Sequence, residues 1–488
     1  MASVLLIKAE RLSEQVRWIT APNGILSLAA SARAAGHRVD VLDLRVVAAA
    51  DAAATVDGLL ARRPDVVGLS SLSSHLPQLA ALARHIRRKL PGATILAGGP
   101  GPSSDTEECF AGAPLDAIVV GEGELTLNEI LGRIDAGREW RDVAGIAVRG
   151  ADGAIVRTPP RPLIEDVDSL PDPAWDLHDF TRYERFLSMS SRRGRRAEVV
   201  TSRGCPYRCA FCHTLLGKRF RARSPARVLA EWEMLHRRYG IRRFEVIDDI
   251  FNADPERAKE ILRMFRARLR GCELTFPNGI RGDILDEEMM RLLAAAPTAY
   301  LGLAVETASP RLQAMLRKNL DLDRLARNVR RLKELGVHTS AFFLIGLPTE
   351  TDAERDATFE FARGLPIDFP HFCVLVPYRR TGVWEMLGGD FHERVTVDAL
   401  KPLMGWSGAS VTDVPTEQLQ RRCDDFMTRY LFLPQNWYIV WHELAWGGGR
   451  TIAAKITRTL APEGKYRQDG WYRNQYMNDT PLLDDAAG

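Results

Sequence analysis

At 488 residues the chain exceeds what one hydrophobic core supports, roughly 250–300 residues, so two or three domains are expected. Its composition, 45% hydrophobic and 26% charged, is that of an ordinary folded enzyme, and a formal net charge of +3 is too small for the whole-molecule field of a nucleic-acid binder. The apolar opening "SVLLIK" is too short for a signal peptide and no run of about 18 apolar residues follows, which predicts a cytoplasmic protein with no membrane span and reduced thiols.

From the N-terminus, five short β-branched or leucine-rich runs each end in Gly, Ser or Asp: residues 3–8, 38–44, 65–72, 93–99 and 116–124. Between them, 25–36 and 76–90 carry apolar residues at three- and four-residue spacing and predict amphipathic helices. The alternation predicts an α/β domain over 1–150, a doubly wound, Rossmann-like parallel sheet with helices on both faces. Ligands of such sheets bind beyond the C-terminal strand ends, here "SSLSS", "GGPGPS" and "GEGE". Residues 151–190 are proline-rich and read as a connector without periodic elements.

From about 191 to 390 the rhythm resumes in six strand–helix units, which predict a partial (β/α)6 barrel with its active site at the strand ends. Ser224 and Asp286 stand where helix N-caps are expected. The basic run "RRGRR", Arg192 to Arg196, reads as a solvated loop, with phosphate binding as the alternative. Residues 391–488 read as mainly helical, with Trp437, Trp441 and Trp446 either packing on the barrel or capping a substrate. "GGGR" at 447–450 lacks the strand and the Lys-Ser/Thr pair of a phosphate loop.

The chemistry concentrates in "GCPYRCAFCH", residues 204–213. Cys205, Cys209 and Cys212 follow a C-x3-C-x2-C spacing, and Gly204 and Pro206 favour a loop leaving the first barrel strand. Three thiolates on an iron–sulfur cube leave one iron open to chemistry. A zinc site completed by His213 is the alternative, although adjacent Cys212 and His213 make an awkward ligand pair. Cys109, Cys272, Cys373 and Cys423 are dispersed and read as buried thiols.

This three-cysteine loop resembles the signature of the radical S-adenosylmethionine (SAM) superfamily. The likeness continues through "VIDDIFNADPERAKEIL", "GIRGDILDEEMMRLL", "GLAVETASPRLQAMLRKN" and "FFLIGLPTET". Residues 22–44, "PDVVGLSSLSS", "ILAGGPGPS" and "IVVGEGELTLNEIL" are similar to the N-terminal cobalamin-binding domain of one large subgroup, so that the likeness covers about residues 3–390. The chain departs from cobalamin domains that ligate cobalt through histidine, because it has no D-x-H-x-x-G motif; His37 and His75 read as surface residues, and the usual "GGPHPT" stands here as "GGPGPS".

The resemblance implies a [4Fe–4S] cluster on Cys205, Cys209 and Cys212, SAM bound to its open iron, cobalamin in the first domain, and an external electron donor such as flavodoxin or ferredoxin. For SAM it implies Asp248 and Asp249 toward the amine or ribose, Arg281 toward the carboxylate, Glu306 toward the ribose, Gly346 beside the adenine and Phe211 as a stacking ring. For cobalamin it implies the small strand-end residues Ser70, Ser71, Gly98, Gly99, Pro100 and Ser103, with Gly121 to Glu124 supporting the face toward the barrel. The expected function is methyl transfer to an unactivated carbon or phosphorus of a small or lipid-like molecule. The alternatives are a cyclisation, rearrangement or oxidation by the same two domains, and a non-catalytic cobalamin or iron–sulfur sensor. A nucleic-acid substrate is disfavoured, since Cys109 stands alone in the first domain and the tail is Trp-rich rather than basic.

Overall fold

The structure, a computed structural model, describes residues 1–11, 18–190, 192–213, 215–394, 410–431, 433 and 437. The chain forms two compact units, the first built on Met1–Arg185 and the second beginning at Phe186.

The first unit is a seven-stranded sheet: β1 (Ser3–Lys8), β2 (Arg38–Asp43), β3 (Val66–Ser70), β4 (Thr94–Gly98), β5 (Ala117–Val119), β6 (Ile146–Arg149) and β7 (Ile155–Arg157), in the spatial order β2-β1-β3-β4-β5-β6-β7. Strands β1 to β5 are parallel, while β6 and β7 join antiparallel. Side chains alternate across the sheet, so Leu5, Ile7, Val67 and Leu69 pack with Leu79, Leu82 and Ile86 on one face. Val4, Leu6, Val66 and Leu96 pack with Ile25, Ala29 and Ile130 on the other. The expected boundary at 150 therefore falls inside a hairpin, and the connector is more structured than its prolines suggest. It carries β7, and its Trp175 and Phe180 rings stack at 5.8 Å within the same unit. β2 is added on one side of β1 and β3 to β5 on the other, so the strand order reverses between β1 and β3, which makes the β1/β3 edge the topological switch point where ligands of this strand order bind.

The second unit holds six parallel strands in sequential order: β8 (Ala197–Val199), then β11 (Arg243–Val246), β12 (Glu273–Ile280), β13 (Thr298–Glu306), β14 (Thr339–Ile345) and β15 (Phe369–Val374). Between β8 and β11 lies a two-stranded antiparallel ribbon, β9 (Ser202–Arg203) with β10 (Arg221–Ala222). The outer side of the barrel wall is closed by helices. Trp232 of helix Pro225–Tyr239 stacks on Phe244 of β11 at 5.3 Å, and Phe265 meets both rings edge-on. That helix starts at the Ser224 cap and ends at left-handed Gly240, and Asp286 caps helix Glu287–Ala295 as the sequence predicts. Helix Thr416–Leu431 covers β15 through Phe426, whose ring lies 4.8 Å from Phe372. Trp437 is exposed, whereas Trp441, Trp446 and the 447–450 glycines lie outside the described residues.

The "RRGRR" run is only partly solvated, with Arg193 and Arg195 exposed. Arg192 and Arg243 both grip Glu273 at the start of β12, and Arg196 is buried with its Nε 2.8 Å from Glu198.

Candidate functional site

The cysteine loop is the segment between the two strands of the β9/β10 ribbon, in which Ser202 pairs with Ala222 and Arg203 with Arg221. The ribbon clamps the base of the loop, and Gly204, at φ +78°, turns the chain out of it. The middle is held from both sides: the Ala210 amide donates to the Leu316 carbonyl at 2.8 Å, and the Ala210 carbonyl accepts from Val383 N–H at 2.8 Å. A side chain at Gly382 would press against Ala210 at 3.3 Å, so glycine lets these backbones meet. Leu312, Leu316, Leu347, Leu375 and Val383 pack around Ala210, with Phe211 at the edge of that cluster.

Cys205, Cys209 and Cys212 are half-buried and unpaired by disulfides. Burial pushes all three thiols up, Cys212 to about 11, while Lys218 opposes it at each sulfur and Lys318 does so at Cys209. Among the described residues no three His, Cys, Asp or Glu side chains close to the size of a single-ion site. Three protonated thiols on one pinned loop, with Lys218 and Lys318 within electrostatic range, fit an iron–sulfur cube, and loading them would release their protons.

The strand-end residues divide into two groups. Asp249 is exposed and lies within electrostatic range of Cys205 and Cys212. Glu306 is buried at φ +73°, a left-handed conformation uncommon outside glycine, and its carboxylate pairs with Lys318 Nζ at 3.1 Å. Lys318 Nζ also lies 6.0 Å from the Phe211 ring centre. Gly346, at φ +70°, donates its amide to Glu350 at 2.7 Å.

Two of the expected SAM residues are already engaged within the protein. Asp248 is only 2% exposed, and its oxygens accept from Thr201 N–H at 2.6 Å, Thr201 Oγ1 at 2.5 Å and Ser202 Oγ at 2.7 Å. It roots the cysteine loop to the end of β11. Arg281 directs its fork at Asp283, at 2.9 and 3.2 Å, and donates to the Lys318 and Asn319 carbonyls. Its guanidinium stacks 4.2 Å from the centre of the Tyr207 ring, inside the cysteine loop, so no bidentate pair remains for a carboxylate.

Sequence reasoning missed Lys318, Tyr207 and Asp283. A lysine inside "AMLRKNL" reads as one more helix-end cation, and only the fold returns it to the strand-end carboxylate of β13. It also missed Glu198 and Glu245, buried partners in register on β8 and β11. Burial and then Glu198 push the Glu245 carboxyl up, and its Oε2 has no hydrogen-bond partner. Glutamates inside the apolar runs "AEVV" and "FEVI" were the available signal.

In the first unit, Gly98 and Gly99 end β4 and Pro100 opens helix Pro100–Ser104. Gly99 sits at φ +86°, and a Cβ there would stand 2.6 Å from Ser70 Oγ. A Cβ at Gly101 would stand 2.6 Å from the Leu72 carbonyl carbon. The turns after β3 and β4 thus approach with bare backbone, as a large planar ligand requires. Ser71 Oγ is buried without a partner, and Leu72 beside it is 45% exposed. Ser103 Oγ bridges the Val119 carbonyl and the Gly121 amide. These residues fit a corrinoid.

One reading changes here. His37 is buried, taking the Ala2 amide at 3.3 Å with Asp135 at 3.5 Å, and is not a surface residue. Glu122 and Glu124 bond within their own unit, to the Ile164 amide and Ser27 Oγ. His75 is half-buried beside Ser74.

Comparison with known proteins supplies the family. The Radical SAM superfamily model matches residues 199–362 and the B12 binding domain model matches 14–131. An uncharacterized methyltransferase of Pyrococcus horikoshii is 31% identical over 361 residues, covering 72% of this chain and 76% of its own. The chain belongs to the radical SAM superfamily. Within it, the cytidylyl-2-hydroxyethylphosphonate methyltransferase of Streptomyces wedmorensis is 29% identical over 353 residues, 64% of this chain and 65% of that one. In fold, the chain resembles the radical SAM methyltransferase TsrM of Kitasatospora setae, with a TM-score of 0.67 at 23% identity over 79% of this chain and 76% of that one. This radical SAM enzyme therefore pairs a domain for SAM and a [4Fe–4S] cluster with a domain for cobalamin.

Proposed function

We propose that this radical SAM protein is a cobalamin-dependent methyltransferase acting at an unactivated carbon or phosphorus of a small or lipid-like biosynthetic substrate, in the cytoplasm, with a one-electron donor such as flavodoxin or ferredoxin. The observation that carries the reading is the presence of both cofactor domains on one chain that is 31% identical to a methyltransferase over most of its length. When bound, the cofactors supply hydrogen-atom abstraction and a transferable methyl group. Cys205, Cys209 and Cys212 would hold the cluster, and the Ala210 clamp and Asp248 fix where those sulfurs stand. Asp249, Glu306, Gly346 and Phe211 are the groups left to meet SAM. Lys318 neutralises Glu306 and favours thiolate at Cys209. At the other cofactor, Ser70, Ser71, Gly98, Gly99, Pro100 and Ser103 would line the corrinoid.

The test uses the anaerobically reconstituted enzyme loaded with hydroxocobalamin, a chemical reductant, SAM with a deuterated methyl group, and metabolite extract of the producing organism. Mass spectrometry should find 5′-deoxyadenosine, S-adenosylhomocysteine and a product heavier by the labelled methyl. Deoxyadenosine formed without labelled product would replace methyl transfer by cyclisation or rearrangement. No SAM cleavage at all would favour the sensor.

A further inference from the structure

The residue following β1 by two positions, Glu10, is 2% exposed and lies at the β1/β3 switch point of the first unit's sheet. Its carboxylate meets Lys8 Nζ at 2.6 Å and Arg45 Nη1 at 4.0 Å, and its Oε1 accepts the Leu72 amide at 2.8 Å. Arg45 is itself fixed by Asp43, to which Tyr183 donates, and by the Thr20 carbonyl at 2.9 Å. Burial works against the Glu10 charge, and the two cations overcome it, holding the carboxyl down at about 2. A buried carboxylate with two cations and one amide on it is expensive to assemble unless the fold needs that amide placed.

The Leu72 amide is the third of three consecutive backbone groups held from outside the turn. Ala9 N–H donates to the Ser70 carbonyl at 2.8 Å, Gly101 N–H to the Ser71 carbonyl at 2.9 Å, and Leu72 N–H to Glu10. Gly101 allows its own contact only because it lacks a Cβ. Nothing in "SSL" is left to rotate, yet the Leu72 side chain stands out in solvent, an arrangement that presents an apolar surface at a fixed position. The Arg11 amide continues the pinning by donating to Gln78 at 2.8 Å.

We propose that Glu10 is a positioning residue for the corrinoid: it holds the turn after β3 so that Leu72 offers a fixed apolar contact to the cofactor. The inference rests on the reading of the first unit as a cobalamin domain, and it assigns Glu10 no contact with the cofactor itself. Because it acts through one hydrogen bond, an acceptor at position 10 matters more than the charge.

The experiment titrates the cluster-loaded protein with hydroxocobalamin and follows the corrinoid absorbance. Glu10→Met, which removes the acceptor, should weaken affinity at least tenfold, whereas Glu10→Gln, which keeps an oxygen for Leu72 N–H, should stay within threefold of wild type. Leu72→Ala alters an exposed side chain without disturbing the fold and should also weaken affinity at least fivefold. All three should retain full iron and SAM cleavage to 5′-deoxyadenosine. Equal affinities for the Met and Gln variants, or wild-type affinity for Leu72→Ala, would overturn the proposal. A Met variant that fails to fold leaves the Leu72 variant to decide it. A wild-type protein that binds no hydroxocobalamin would instead overturn the cobalamin reading beneath it.

Discussion

Replacing Asp248 separates two accounts of how a strand-end carboxylate serves this barrel. In the structure it receives three hydrogen bonds from Thr201 and Ser202, the residues that lead into the cysteine loop. Asp248→Ala leaves three buried donors without an acceptor, at about 1–3 kcal/mol each and less than additive, so a loss of roughly 3–5 kcal/mol is expected. Asp248→Asn should cost far less. Burial pushes the Asp248 carboxyl up against the pull of Thr201 and Ser202, so part of the benefit of its charge is already cancelled, and a neutral isostere forfeits about one hydrogen bond, roughly 1 kcal/mol. In a unit of this size that corresponds to a fall in melting temperature of about 2–4 °C for Asn and roughly 10 °C for Ala. The assay is differential scanning calorimetry of the apoprotein, followed by iron content and 5′-deoxyadenosine formation after reconstitution. Asn should keep iron and most SAM cleavage; Ala should lose both together. If Asn melts like wild type and holds full iron yet cleaves SAM a hundredfold more slowly, Asp248 touches SAM directly and the loop-root reasoning is wrong.

Two further outcomes are expected. Changing Cys205, Cys209 and Cys212 together to Ala should remove the roughly four irons per chain that a single cube requires, and retention of full iron, or stoichiometric zinc in anaerobically purified wild type, would refute the ligand assignment. Glu10 also gives a pH dependence with a definite sign: its folded value of about 2 lies below the ordinary carboxylate value, so its contribution is complete above about pH 5 and is lost as pH falls toward 2. The difference in melting temperature between wild-type apoprotein and Glu10→Gln should therefore shrink between pH 6 and pH 3, and a gap that stays constant would show that Glu10 carries no depressed titration.

The two folds were legible because each depends on patterns of short range. Short apolar strand runs alternating with period-3.6 helices located β1 to β5 and predicted the six barrel strands, although the run 116–124 shrinks to the three residues of β5, and the cysteine spacing depends on no tertiary contact. The antiparallel pair β6 and β7 escaped because three- and four-residue strands beside prolines carry too little periodicity to register. Two arginines of the basic run were misjudged for a related reason: Arg192 and Arg196 have carboxylate partners 81 and 2 residues away, and the nearer one sits inside an apolar strand where glutamate is not expected.

Site residues were less legible than the fold because a strand end specifies where a side chain starts, not what it meets. Asp248 and Arg281 stand just beyond the ends of β11 and β12 and Glu306 closes β13, and by residue type any of them suits a charged ligand. The partner decides. Asp248 meets two hydroxyls and an amide, Arg281 meets the aspartate two residues on, and Glu306 meets a lysine twelve residues on. Two of these partners lie close in sequence, yet neither "RGD" nor "ETASPRLQAMLRK" signals a pair, since charges at such spacings are ordinarily solvated at a helix start. What distinguishes them is burial, which makes an ion pair costly unless its geometry is good and so ties each charge to one partner. Asp249, beside Asp248 in sequence, has the opposite fate: beyond the end of β11 one carboxylate becomes the loop root and its neighbour is exposed within electrostatic range of Cys205 and Cys212. Of the four charges that sequence assigned to SAM, Asp249 therefore keeps the strongest claim, and Asp249→Ala should impair SAM cleavage while leaving iron content and melting temperature unchanged.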